Sequence, residues 1–298
     1  MAGLRTGGLK RYYDVNGWLF IAPALALISI FLVYPIIRSL VLSFYSGKGM
    51  MMRFAGFGNI ERLASDPVFL AALTNTVVFF VVQVPIMIML ALILASVLNN
   101  PDLRFKGFFR TAIFLPCVSS LVAYSVLFKS MFAVDGVVNS ALVALGLVDV
   151  PIPWLTDPFW AKVLIILALT WRWTGYNMIF YLAALQNIDK SIYEAARIDG
   201  VPSWGRFLYI TIPMLKPVIL FTTIVSTIGT IQLFDEVYNL TEGRGGPANS
   251  TITLSLYIYN LTFRYMPSFG YAATISYVIV VMVAVLSFLQ FYAARDRS

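Results

Sequence analysis

Gln232, Asp235 and Asn239 follow one another at i, i+3 and i+7 in a stretch that is otherwise apolar. On a helix of about 3.6 residues per turn they share one side. A second polar set sits in "LTWRWTGYNMIFYLAAL", where Trp173, Tyr176 and Asn177 lie within about one turn and Gly175 opens room beside them. The two sets offer hydrogen-bonding groups next to aromatic faces, the chemistry of a binding path rather than of a reaction. Arg172 is the sharpest single residue, because an arginine in mid-membrane is expensive unless paired. Asp235 or Glu236 would neutralise it. The arginine then reads as a ligand-contacting donor or gate, as one half of a buried ion pair that fixes helix register, or as a side chain that snorkels to an interface.

Catalytic chemistry finds no support. The chain has no histidine, which excludes a His-dependent acid–base site and a His-ligated metal. Ser119 and Ser120 lie in an apolar run without a base. Asp235 and Glu236 are sequential, about 100° apart on a helix, and cannot share a site alone. A phosphate-cradling loop would read G-x-x-x-x-G-K-[ST]; "YSGKGM" lacks its first glycine and its hydroxyl. The single cysteine, Cys117, excludes an intramolecular disulfide. No enzyme, cofactor or metal is expected in this chain.

These residues must be positioned by membrane helices. Of the 298 residues 60% are hydrophobic and 12% charged, against about a quarter charged in soluble domains. Six runs are long enough to cross a hydrocarbon core, which takes about 20 helical residues. They are Trp18–Leu40, Asn75–Leu98, Phe109–Phe132, Trp160–Leu185, Val218–Leu240 and Tyr271–Tyr292. The fold class is therefore all-α integral membrane. The first run is too long for a signal-peptide core and lacks a small-x-small cleavage site, so it reads as a retained span after a short segment, 1–17.

The net charge of +7 reflects loop placement, not nucleic acid. Arg5, Lys10 and Arg11, then Arg104, Lys106 and Arg110, then Lys190, Arg197, Arg206 and Lys216, then Arg295 and Arg297 all fall on one side. The positive-inside rule makes that side cytoplasmic and puts both termini there. On the other side, 134–158 and 241–260 each contain a semi-apolar stretch expected as an interfacial helix.

One cytoplasmic element stands out. "YEAARIDGVPSWGRFLYITIPMLKP" interrupts the apolar chain between the fourth and fifth spans. Ala195 and Ala196 make a thin helix side, Gly200 suits a left-handed C′ position, and Pro202 stops continuation. Ser203 is expected to cap a second short helix that Pro213 ends. Spacing alone leaves two readings, an ordinary loop or a rigid elbow that couples to a partner.

This stretch resembles the EAA motif of the permease subunits of binding-protein-dependent carbohydrate ABC importers, in which E-A-A is followed by three residues, Gly, nine residues and I-x-L-P. Glu194, Ala195, Ala196, Gly200, Ile210 and Pro213 match, and Ile212 stands where leucine is usual. "LFIAPALALISIFLVYPIIRSLVLSF", "GFGNIERLASDPVFLAALTNTVVF" and "LFDEVYNLTEGRGGP" resemble further segments of the maltose-, lactose- and glycerol-phosphate-type permeases. The resemblance covers most of the chain.

The resemblance implies a single permease domain over 18–298, with a coupling element at about 189–215 that docks on a cytoplasmic ATPase. Glu194, Arg197 and Asp199 would form the docking surface and Gly200 its turn. It implies that Arg172, Trp173, Tyr176, Asn177, Gln232, Asp235 and Asn239 contact a sugar, perhydroxylated and flat-faced enough to stack on aromatics. The implied partners are a second related permease, an ATPase dimer that binds ATP and Mg, and an extracytoplasmic solute-binding protein, all at a bacterial or archaeal cytoplasmic membrane. An ion-gradient-driven sugar carrier is the alternative; it would draw on Asp235 and Glu236 for coupling.

Overall fold

A computed structural model describes residues 6–49, 51–265 and 267–295. Arg5 and Arg297 of the basic set lie outside the described residues, as do the side chains of Lys10 and Arg11. Five helical segments are long and apolar enough to cross a membrane, and a bent pair makes a sixth.

The first span is α1 (Thr6–Ile28) and α2 (Tyr34–Ser43), joined without interruption by a π-helical turn at Ser29–Val33. It starts well before the expected Trp18. Every described side chain from Tyr13 to Arg38 is exposed, and near the far end of this span the Tyr277 hydroxyl donates to the Ile36 carbonyl at 2.7 Å. A hairpin follows, β1 (Tyr45–Lys48) against β2 (Met51–Phe54), with Tyr45 opposite Phe54. The segment "YSGKGM" thus makes a strand and turn, not a phosphate loop.

After α3 (Gly58–Ser65), α4 (Pro67–Asn99) forms the second span. Its start is set by Asp66, whose carboxylate accepts from the Val68 and Phe69 N–H groups, and by Pro67, which needs no N–H partner in the first turn. The third span is broken: α5 (Lys106–Val118) and α6 (Leu121–Met131) meet at 101°. Pro116 removes a helical hydrogen bond near the end of α5, and Ser119 and Ser120 are extended. After α7 (Val137–Ala144), the fourth span α8 (Pro158–Leu185) begins on a matching Asp157–Pro158 cap.

α4 and α8 run in the same direction at the centre of the molecule. At one end Phe69 and Ala72 share a core with Leu164 and Ile165. At the other Ala91, Leu92 and Ala95 share one with Leu182, Leu185 and Leu215. α5 crosses α8 so closely that a Cβ on Gly175 would stand 2.1 Å from the Ile113 carbonyl oxygen. Gly175 therefore admits a helix backbone, and the space expected beside it is filled.

The elbow comprises α9 (Lys190–Ile198) and α10 (Ser203–Arg206). Pro213 does not end a second helix there. α10 passes through a π turn at Phe207–Thr211 directly into α11 (Ile212–Ile231), a continuous rod of 29 residues. The π turn, in which the Ile212 N–H reaches back to the Phe207 carbonyl, moves backbone away from the proline ring that would otherwise strike the carbonyl four residues earlier. Nor does Ser203 cap α10; Pro202 takes the N-cap position, and the Ser203 hydroxyl accepts from Arg206 Nη2 at 3.0 Å.

The fifth span stops at Ile231, short of the expected Leu240. Gln232–Phe234 leave the helix, and α12 (Asp235–Thr241) starts anew. A Gly-rich turn then leads to α13 (Leu254–Tyr259), whose Leu254, Leu256 and Tyr257 are buried. This segment belongs to the core; it is not the interfacial helix expected from its sequence. α14 (Phe269–Arg295) is the last span.

Candidate functional site

The elbow is capped at both ends by its own residues. Asp189 accepts from the Ser191 N–H at 2.9 Å, and that hydrogen bond holds its carboxyl below the usual carboxylate range. At the far end Gly200 has φ +75°, the Val201 N–H reaches the Ala196 carbonyl and the Gly200 N–H reaches that of Arg197. This is a Schellman ending, which requires the left-handed conformation that glycine adopts without penalty.

Between these caps α9 buries Ala196 and half-buries Tyr193. Glu194, Ala195, Arg197, Asp199 and Gly200 are all exposed, so the five residues offer a free surface with two acidic groups, one basic group and a small-residue notch; Ala196, expected among them, faces inward. Ile198 projects from it, 87% exposed. It was missed in the sequence because it reads as an inward apolar residue; its position two before Gly200 places it on the turn's outer side. Pro213 lies apart from this surface, in the rod.

The membrane polar sets divide in two. On α8, Arg172 and Asn177 are buried and Trp173 and Tyr176 half-buried. The partner of Arg172 is Glu236, not Asp235. Glu236 Oε1 lies 3.8 Å from Arg172 Nε and accepts from Trp173 Nε1 at 3.0 Å. Arg172 Nη1 reaches the Ser119 carbonyl at 3.4 Å, at the break of the third span. Its guanidinium lies 5.3 Å from the Tyr124 ring centroid and 5.6 Å from that of Trp173. Trp171 is exposed and stacks on Tyr124 with centroids 5.7 Å apart. Asn177 donates to the Trp173 carbonyl at 3.1 Å.

Gln232, Asp235 and Asn239 face the other way. Gln232 and Asp235 are exposed and Asn239 is half-buried, donating to the Asp235 carbonyl at 2.7 Å. The helix break at Gln232–Phe234 separates Gln232 from the other two. The structure thus brings Arg172 and Trp173 together around Glu236 and leaves the α12 residues on the outer surface. Glu236 is the residue absent from the expected set. Only the break, which sets the phase of α12, decides that Glu236 turns inward and Asp235 outward. An apolar groove of about 530 Å³ between α4 and α11 shares none of these residues.

The described residues contain no cluster of three metal-ligating side chains. Buried charge, half-buried aromatics and an open polar edge are groups that can bind and orient a polar solute.

A family model described as binding-protein-dependent transport system inner membrane component matches residues 68–298. The lactose transport system permease protein LacF of Rhizobium radiobacter is 78% identical over 297 residues, with 100% of both chains covered. The arabinooligosaccharides transport system permease protein AraP of Halalkalibacterium halodurans is 33% identical, over 92% of this chain and 86% of its own. A crystal structure of a bacterial alginate ABC transporter in complex with an alginate pentasaccharide-bound periplasmic protein includes a chain of the same fold, with a TM-score of 0.80 at 24% identity over 97% of this chain and 96% of that one.

Proposed function

The chain belongs to the family of binding-protein-dependent transport system inner membrane components, and on that premise we propose that it forms half of the translocation path for a lactose-like disaccharide. As a family member it is a multi-pass, non-catalytic permease subunit of an ATP-driven importer, which sets aside the ion-gradient carrier. The observation that carries the substrate reading is the 78% identity along the whole chain with a lactose transport permease. A change of substrate would require the differences to concentrate at path-lining positions.

In this reading the free surface of α9, with Glu194, Ala195, Arg197, Asp199 and Gly200, docks on a cytoplasmic ATPase that binds ATP and Mg, and the buried Ala196 seats α9 on its own chain. Both termini face the cytoplasm of a bacterial cell. A second, related permease covers the break after α11 and the outer edge of α12, where Gln232, Asp235 and the half-buried Asn239 line the shared path, and Trp173 and Tyr176 supply its aromatic side. Arg172 and Asn177 act from behind this lining. A solute-binding protein delivers sugar from outside. Exposure of the polar α12 edge supports this, since polar groups turned to lipid would cost several kcal/mol.

The test is uptake of a labelled sugar panel by proteoliposomes that hold this chain with its neighbouring permease, ATPase and binding protein. Lactose uptake that requires internal ATP and is lost in Glu194→Lys is the expected outcome. Uptake of another sugar class to the exclusion of disaccharides would overturn the substrate; ATP-driven uptake undiminished in Glu194→Lys would overturn the docking role.

A further inference from the structure

The elbow touches the rest of the molecule sparingly. α9 exposes most of its side chains, and among the described residues one side-chain hydrogen bond joins it to the α10–α11 rod. That bond runs between the Tyr193 hydroxyl and Thr211 Oγ1, at 3.0 Å. Tyr193 is half-buried and Thr211 is 5% exposed, so the pair is shielded from the water that would compete for it.

Its position is the informative part. Thr211 is the last residue of the π turn at Phe207–Thr211, at the root of α11. A π turn holds one more residue than an α-helical turn, so a slip between the two registers rotates everything beyond it by about 100°. Pro213 follows, and it withholds an N–H that would bond back to the Tyr209 carbonyl within this turn; Pro217 withholds another one turn further along the rod. The root of the rod is thus its most deformable point. Beyond it α11 is long: from Ser203 to Ile231 the rod spans roughly 43 Å at about 1.5 Å per residue. It ends at the break that sets the phase of α12, with Asp235 outward and Glu236 inward on Arg172.

We propose that the Tyr193–Thr211 pair is a positioning contact for transport, which pins the π turn to α9 so that displacement of the elbow moves α11 instead of being absorbed at its root. This rests on the reading that α9 docks on the ATPase. Without the pair, ATP-driven movement of α9 would be spent in bending the π turn, and the α12 edge would follow it incompletely. Neither hydroxyl touches sugar or nucleotide.

The experiment uses the complete importer in proteoliposomes with lactose-loaded binding protein, and reads ATP hydrolysed per lactose imported. Tyr193→Phe and Thr211→Val each remove one hydroxyl without changing the volume much; Thr211→Ser keeps it. We expect each removal to raise the ATP-to-lactose ratio by about three- to tenfold, the range that one shielded hydrogen bond commands. The double variant is no worse than the worse single, and Thr211→Ser keeps the unmodified ratio. An unchanged ratio in both singles overturns the proposal, as do single effects that multiply in the double. Loss of the ATPase from the purified complex in both singles also overturns it, because the pair would then serve docking and not transmission. Glu194→Lys separates the two levels of the argument. If it leaves ATP-driven uptake intact, the docking reading fails; if it abolishes uptake while Tyr193→Phe keeps the unmodified ratio, only the transmission role fails.

Discussion

Two buried carboxylates, Asp66 and Glu236, are held in opposite styles. Asp66 is saturated. Its Oδ1 accepts the Val68 and Phe69 N–H groups at 2.9 and 3.3 Å, and its Oδ2 accepts the Tyr257 and Tyr271 hydroxyls at 2.6 and 2.7 Å. The Arg62 guanidinium lies 3.9 Å above the Tyr271 ring. The knot ties the start of α4 to α13 and the start of α14, at the end of the molecule opposite the elbow. Glu236 has one good donor, Trp173, and a guanidinium at 3.8 Å. Beside it Arg172 Nε and Tyr124 Oη, and along the same helix as Arg172 also Thr170 Oγ1 and Asn177 Oδ1, are buried without a hydrogen-bond partner among the described residues. A saturated carboxylate has everything to lose when its neighbours move, and an under-paired one has little. The Asp66 knot therefore fastens three elements firmly, whereas the Glu236 cluster links the middle of α8 to two places where helices break or begin, the α5–α6 break and the start of α12.

The largest effect should come from breaking the saturated side. Asp66→Ala leaves two tyrosine hydroxyls without their acceptor and α4 without its cap, a loss of about 3 kcal/mol. Thermal unfolding of the purified chain in detergent measures it, and a loss under about 1 kcal/mol would erase the contrast. Acid provides a second view of the same knot. Burial raises the Asp66 carboxyl, but the tyrosine and backbone hydrogen bonds outweigh it and hold the group below its ordinary value. A carboxyl lowered by folding stabilises fully above its unfolded pKa, near 4, and ceases to do so as the pH falls through the folded value. The unmodified chain should therefore lose stability on acidification below about pH 4 more steeply than Asp66→Asn.

The under-paired side should respond less. Glu236→Gln leaves the Arg172 charge buried, yet the guanidinium keeps the Ser119 carbonyl and two ring faces, so about 2 kcal/mol is expected rather than the 3–5 kcal/mol of a tight buried pair. Combining it with Arg172→Met should recover most of that loss, since the charge goes with its partner. Greater loss in the double variant would mean that Arg172 serves the core apart from Glu236. Uptake sharpens the comparison. If the cluster re-pairs during transport, Glu236→Gln lowers the rate more than its stability deficit explains, and Asp66→Asn does not.

How far the sequence discloses these two regions follows from what each depends on. The spans are visible because lipid demands long apolar helices, and Gly200 is visible because a left-handed ending selects its residue type. The start of α4 is also written locally, in Asp66–Pro67 as in Asp157–Pro158, although the apolar run alone suggests Asn75. The two tyrosines that complete the Asp66 knot come from 191 and 205 residues away, which no local pattern reveals. The phase of α12 is harder still. Nothing in Gln232, Leu233 or Phe234 is a helix breaker, so the stripe Gln232, Asp235, Asn239 looks continuous and Asp235 looks as good a partner for Arg172 as Glu236. Pro213 misleads in the opposite direction: it is a breaker by type, but the preceding π turn accommodates it. Packing, not propensity, decides both.

The smallest expected effect tests the under-paired state most directly. Tyr124 is 3% exposed; its ring lies 5.7 Å from Trp171, 4.9 Å from Phe128 and 5.3 Å from the Arg172 guanidinium. Phenylalanine keeps every one of those contacts. Only the hydroxyl is lost, and it has no hydrogen-bond partner among the described residues. Burying an unpaired hydroxyl costs roughly 1–3 kcal/mol, while the small void left by its removal costs about as much as one methyl group. The terms oppose each other, so Tyr124→Phe should change stability by less than about 0.5 kcal/mol in either direction. A loss above about 1 kcal/mol would show that the hydroxyl is paired after all, and the contrast with Asp66 would shrink accordingly. If stability holds but sugar uptake in the assembled importer falls, the hydroxyl finds its partner only during the transport cycle, and the under-pairing seen here is what allows the cluster to change partners.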